Sequence, residues 1–142
     1  MILGVQIKRL VTHTKPGSSF REVIRYSDEF FTEQFAQWSH SINNPGYYTE
    51  EFHIHQRQVD WWYVPMGILW VVLIDQRPGS KSKPDEIILS SGLEAAVLRI
   101  PPGVAHGFKV LEGPAHLMYI TSQVYNPEDE GRVRLDYDWS KV

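Results

Sequence analysis

The chain has 142 residues, enough for one domain with a real core and too few for two of ordinary size. Its hydrophobic share of 42% and charged share of 22% are those of a globular protein, and a net charge of −3 without basic runs excludes broad binding to nucleic acid or anionic membrane. With no Cys, disulfides, thiolate metal sites and a cysteine nucleophile are all ruled out.

In chain order, the opening MILGVQIKRLVTHT has its apolar run broken by Lys8 and Arg9, so no signal peptide is expected. The longest apolar run, Ile68 to Ile74, is too short to span a bilayer. A cytoplasmic protein is the resulting expectation. Strands are predicted over 4–10, 20–25, 35–42, the 50s, 61–66, 68–75, 86–90, 96–101, 105–111 and 116–122. Between them lie KPGSS, NNPG, RPGSKSKPDE, PPG, LEGP and NPEDEG, clusters of the residues that turns require. Only SDEFFTEQF (27–35) offers a helical turn or two, with Ser27 as N-cap. The polar C-terminal stretch EDEGRVRLDYDWSKV is expected to cross the surface or pack on a neighbour. Many short strands without a βαβ rhythm predict a single all-β domain over 1–142, an antiparallel sandwich or barrel.

EEFHIHQRQVD (51–60 with its preceding Glu50) concentrates the chemistry. Residues two apart in a strand share a face, so His53 and His55 project together, with Phe52 and Ile54 on the other side. Asp60 is expected across a hairpin from them, and His106 comes from PPGVAHGF. Imidazoles and a carboxylate on one cavity suit a divalent transition metal, whereas one imidazole of near-neutral pKa suits a general base. The plainer readings are a buried histidine bonded to backbone, and an Asp60 paired with Arg57. His13, His40 and His116 read as packing or surface residues, Trp61, Trp62 and Trp70 as packing rings, and PEDEG (127–131) as a solvated turn.

HIHQRQVDWWYVPMG runs H-x-H, four residues, acid, six residues, Gly, which resembles the first cupin motif with Asp60 in place of Glu. PPGVAHGF resembles the second, P-x-G-x-x-H, although Val110 stands where that motif closes with Asn. A longer resemblance spans seven segments in order: GSSFREVIR to R-G-x-F-x-E, FAQWSHS to Q-x-N-x-S, EEFHIHQ to R-G-L-H-x-Q, LIDQRPGSKS to V-D-x-R-x-x-S, IPPGVAHGFKVL to I-P-x-G-x-A-H-G-F and VYNPEDEG to Y-x-P-x-x-E-G, after an opening GVQIKRL. These motifs are similar to those of the dTDP-4-dehydrorhamnose 3,5-epimerase family.

That resemblance implies a cupin-type jelly roll, no cofactor, a sugar or sugar-nucleotide ligand and a homodimer. It implies His53 as the base that removes a proton beside a ketone and Tyr125 as the acid on the opposite face. It further implies Phe20, Glu22, Gln37, Ser39 and His106 as substrate-binding residues. The alternative is a metal-dependent cupin enzyme, an isomerase or oxygenase, with His53, His55, Asp60 and His106 as ligands; a non-catalytic sugar-binding protein is the third reading. Glu50, Asp60 and Pro16 stand where the family pattern carries cations. Arg57, Arg25, Arg21 and Lys8 are the residues that would have to replace them.

Overall fold

The computed structural model describes Met1–Val142. Ten strands form: β1 (Gln6–Arg9), β2 (His13–Lys15), β3 (Ser18–Phe20), β4 (Gln37–Asn43), β5 (Phe52–His55), β6 (Asp60–Asp75), β7 (Asp85–Ser90), β8 (Ala96–Ile100), β9 (Val104–Thr121) and β10 (Glu130–Val133). One 3-10 turn, η1 (Trp139–Lys141), ends the chain.

Two pairs of expected strands are each a single long one. Residues 61–66 and 68–75 run continuously in β6, and 105–111 and 116–122 fall within or at the end of β9. Both strands bend midway, so each serves two sheet leaves. In the first leaf, Asp60 to Tyr63 of β6 pair with β8 on one side and with the end of β9 on the other. β1 and β4 close its two edges. In the second leaf, Ile68 to Asp75 of β6 lie between β7 and the start of β9. β5 and β10 extend it beyond β9. The register between β6 and β9 shifts in the 63–69 region, where Pro65 withholds an N–H from the ladder. Gly67 turns there with φ of +86°, and a Cβ on it would lie 2.6 Å from the Glu112 carbonyl oxygen. A side chain is excluded at that point of the bend.

The main core lies between the leaves and includes Val64, Leu69, Val71, Leu73, Leu98, Ile100, Val110 and Leu117. The strands also bury their outer faces. Trp61 and Val97 face away from the main core and are covered by Phe30, Phe31, Val23 and Ile24. On the second leaf, Phe52, Val72 and Ala105 are covered by Val133, Leu135, Tyr137 and Trp139.

Several expectations change accordingly. The segment 27–35 contains no helix; Phe31 packs its ring 4.5 Å from that of Trp61, and Trp61 Nε1 donates to the Phe30 carbonyl at 3.2 Å. Packing of both phenylalanines on Trp61 overrides the helical spacing of this segment. The strand expected over 20–25 stops at Phe20, the last residue of a detached β2–β3 hairpin. His55 and Asp60 are not joined by a hairpin, because β5 belongs to the second leaf and the start of β6 to the first. The C-terminal stretch forms β10 and the outer cover.

Substituting Gly67→Ala is expected to lower stability by about 3 kcal/mol, from the left-handed backbone and the contact with Glu112. Urea denaturation of the two proteins measures the difference.

Candidate active site

Inward-facing positions of both leaves surround a cavity of about 320 Å³. Strand parity selects them. Asp60 and Trp62 of β6 face in while Trp61 faces out; Leu117, Tyr119 and Thr121 of β9 share the same side. His53 and His55 of β5 face in, as expected, and Phe52 and Ile54 pack in the outer cluster. His53 lies directly opposite His106 across the β5–β9 pairing.

The loop between β5 and β6 is held tightly, which fixes His55 and Asp60 relative to each other. Buried Asp129 accepts from the Gln56 amide at 3.0 Å and the Gln58 amide at 3.3 Å. Val59 N donates to Ser122 Oγ at 2.8 Å, and Gly103 N donates to the His55 carbonyl at 2.7 Å. The two bonds to the Asp129 carboxylate are charge-assisted, and together with the two neutral ones they hold the loop in place.

Two chemical groupings occupy the cavity. At its floor, Asp60 and His106 are each only 4% exposed. Asp60 Oδ1 accepts from Gln58 Nε2 at 2.7 Å and Oδ2 accepts from Trp62 Nε1 at 3.1 Å. His106 Nδ1 donates to the Val104 carbonyl at 3.0 Å, which turns Nε2 towards Asp60 Oδ2, 4.0 Å away. Burial pushes the His106 imidazole down to about 4, against the opposing pull of Asp60. At 4.0 Å the carboxylate is too far for a charge-assisted hydrogen bond, so burial prevails. His55 completes a group of three, with Asp60 and His106, whose nitrogen and oxygen atoms lie within 4.8 Å of one another.

At the mouth, Glu130 Oε1 lies 3.6 Å from His53 Nδ1. Burial lowers the His53 pKa below its usual value, and Glu130 opposes that shift only in part. Tyr125 is 65% exposed on the rim, and the Glu130 carboxylate raises its phenol above the usual range. The Tyr125 amide donates to Gln37 Oε1 at 2.8 Å, and Gln37 Nε2 donates to Ser39 Oγ at 3.0 Å.

The cavity thus unites His53, His55, Asp60, His106, Gln37 and Tyr125. Ser39 does not line the cavity; it accepts from Gln37 and lies opposite Tyr119 in the β4–β9 pairing. Phe20 and Glu22 lie outside this cavity: Phe20 is 59% exposed at the end of the detached hairpin, and Glu22 sits 3.6 Å from Arg25. Glu130 and Tyr119 are the residues that sequence reasoning missed. Glu130 closes the Y-x-P-x-x-E-G segment, and that resemblance was the available signal against a solvated turn. Of the four cations offered as substitutes, three are committed elsewhere, while Arg57 is exposed on the loop between β5 and β6. Lys8 binds Asp28 at 2.6 Å, Arg21 binds the Ser91 and Gly92 carbonyls, and Arg25 binds Asp28.

Two bent leaves with polar, titratable residues on their inner faces make this a cupin-type jelly roll with a polar cavity. Residues 18–140 match the family described as dTDP-4-dehydrorhamnose 3,5-epimerase. The chain belongs to that family and is a sugar epimerase. It is 39% identical over 140 residues to spore coat polysaccharide biosynthesis protein SpsL of Bacillus subtilis (strain 168), covering 97% of this chain and 91% of that protein. It is 27% identical over 131 residues to dTDP-4-dehydrorhamnose 3,5-epimerase of Escherichia coli (strain K12), covering 88% of this chain and 69% of that protein. The crystal structure of dTDP-6-deoxy-D-glucose-3,5-epimerase from Legionella pneumophila, in complex with dTDP-4-keto-L-rhamnose, superimposes with a TM-score of 0.80 at 28% identity, over 91% of this chain and 72% of that one. The dTDP sugar isomerase of Desulfovibrio desulfuricans G20 shares the fold, with a TM-score of 0.85 at 22% identity over 99% of this chain and 93% of that one. No helix is long and apolar enough to cross a membrane.

The buried His106 makes stability depend on pH. Its folded pKa of about 4 lies below the usual 6.5, so between these values the unfolded chain binds a proton that the cavity excludes. Stability is therefore expected to fall as pH drops through that window, by about 3 kcal/mol in total. Chemical denaturation of chelator-treated protein at stepped pH measures this, and His106→Gln is expected to flatten the slope.

Proposed function

We propose that the chain epimerises a nucleotide-linked keto-sugar at a carbon beside its ketone, with His53 as base and Tyr125 as acid. The observation that carries this reading is Glu130, one carboxylate set between an imidazole and a phenol at the mouth of one cavity. Such an epimerisation needs a base and an acid that reach the same carbon from opposite faces.

His53 Nε2 takes the proton from the carbon, and the bond electrons move into the ketone to form an enolate. Tyr125 then returns its phenolic proton to the opposite face of that carbon, and the enolate electrons close the new C–H bond. Solvent exchange discharges the imidazolium and reprotonates the phenolate, so no oxidant or reductant is consumed. Glu130 acts as a positioning residue. Facing Nδ1, it favours the tautomer that carries its proton there, leaves Nε2 bare, and stabilises the imidazolium that forms.

A groove beside the cavity offers a diphosphate two arginines, for which it competes with carboxylates, since Arg134 lies 3.3 Å from Glu51 and Arg132 lies 3.9 Å from Glu130. Arg132, whose backbone pairs with His53, and Arg134 line it together with Tyr47, Glu50 and Glu51. The exposed Phe20 hairpin and the outer face of β4, with Trp38 and Ile42 exposed, favour a homodimer in which a partner's hairpin brings Phe20 and Glu22 to this cavity. Sedimentation velocity is expected to give twice the chain mass of 16.5 kDa, and Trp38→Asp to shift the species to one chain.

Incubation with dTDP-4-keto-6-deoxyglucose in deuterated water is expected to place deuterium at C3, C5 or both; no deuterium at either carbon rejects this substrate. His53→Ala is expected to slow exchange by about 10²–10⁴-fold. Glu130→Gln is expected to lower kcat by about 10-fold or more with KM little changed, the pattern of an interaction made in the transition state. Because burial depresses His53 and Glu130 raises Tyr125, the rate is expected to rise with pH below neutrality, as His53 deprotonates. A plateau then extends into the alkaline range while the phenol holds its proton.

A further inference from the structure

Eighteen residues line the cavity, among them two carboxylates, Asp60 and Glu130, and neither a Lys nor an Arg. Glu130 faces His53 at the mouth, whereas Asp60 is buried at the floor with no fixed cation in bonding range. Its oxygens receive one neutral hydrogen bond each, from Gln58 and Trp62, which leaves further lone pairs directed into the cavity. Across from it stands Nε2 of His106. Because Nδ1 of that ring donates to the Val104 carbonyl, Nε2 carries a lone pair and has no hydrogen-bond partner. Two acceptors therefore face each other over 4.0 Å, too far to share a proton and suitably spaced for an ion between them.

We propose that His55, Asp60 and His106 bind one divalent transition-metal ion, with open coordination positions facing the cavity to take the ketone oxygen of the substrate. The second half rests on the epimerase reading; the first does not. Metal–ligand bonds of about 2.0–2.2 Å place donor atoms roughly 3–4 Å apart, a range the Asp60–His106 pair already meets. The widest separation in the trio is within 4.8 Å and closes by about 1 Å of movement of His55, the most exposed of the three. The outer contacts are those of a ligand site: a backbone carbonyl orients one imidazole, and an amide and an indole orient the carboxylate. Two imidazoles and one carboxylate select Zn²⁺, Fe²⁺, Mn²⁺, Co²⁺ or Ni²⁺ over the oxygen-seeking Ca²⁺ and Mg²⁺. His53 is not among the ligands, since its Nδ1 faces Glu130, so base and ion occupy separate places. An enolate oxygen at the floor would otherwise meet a carboxylate; an ion there turns repulsion into attraction.

The test uses the full chain, stripped with chelator and dialysed. Zn²⁺ titrated by calorimetry is expected to bind at one equivalent per chain, and Co²⁺ to give visible bands of a nitrogen-ligated site. His55→Gln and Asp60→Asn are each expected to weaken Zn²⁺ binding by at least about 100-fold, with circular dichroism showing that both remain folded. His53→Gln is expected to leave binding unchanged. So is a double His40→Ala, His116→Ala variant, which removes an exposed histidine pair 2.9 Å apart as an adventitious site. No stoichiometric binding, or binding untouched by His55→Gln and Asp60→Asn, overturns the site. Deuterium exchange into the keto-sugar is expected to fall at least about 10-fold on chelation and to return with the ion; full-rate exchange without it overturns the catalytic role. Tight binding with no exchange under any condition rejects this keto-sugar as the substrate and leaves the site standing.

Discussion

β6 and β9 pair with each other along nearly their whole length, and both bend between the leaves. A strand that bends midway presents its inner positions to a concave space instead of a flat face, and the polar residues at those positions then converge. Asp60 and Trp62 lie before the bend of β6, while His106 and Phe108 lie at the other end of β9, yet all four line one cavity. The register shift at 63–69, with Pro65 and Gly67, makes that convergence possible without breaking the ladder. The outer covers matter for the same reason: with Trp61 and Phe52 sealed from water, both leaves are held from behind and the inner face can carry polar groups.

The cavity sets burial against charge. Burial drives both His53 and His106 towards the neutral form, and the carboxylates nearby restore only part of the loss. Neutral imidazoles have a lone pair to offer, either to a proton or to a metal. What separates the two uses is the partner of the other ring nitrogen: a carboxylate for His53, a backbone carbonyl for His106. Two positions at which this chain departs from the usual family pattern, His55 and Asp60, stand together at the floor, held by the Asp129 clamp on the loop between them. The family architecture is retained while the residues at its floor depart from the motif.

Much of this was legible in the residues. The alternation in EEFHIHQ placed both histidines on one face, the turn residues marked an antiparallel all-β fold, and the segment order carried the family. Strand periodicity reports which face a residue takes, and it held at β5 because one side of that strand is an apolar core. Glu130 was hidden because a Pro/Asp/Glu cluster has the composition of a solvated turn, and only the pairing of β10 with β5 brings its last Glu beside His53. The 27–35 segment misled in the opposite way: its spacing allows a helix, and tertiary packing against Trp61 overrode it.

The sequence by itself determined the all-β class, the family, and which residue types were available for proton transfer or ion binding, because these follow from local periodicity and segment order. Tertiary structure decided which of them meet. It set His53 against Glu130 and His55 against Asp60 and His106, and it left Phe20 and Glu22 outside the chain's own cavity. The reason is geometric: contacts between strands far apart in the chain depend on where β6 and β9 bend, and a bend is a property of the packed leaves that no single segment carries.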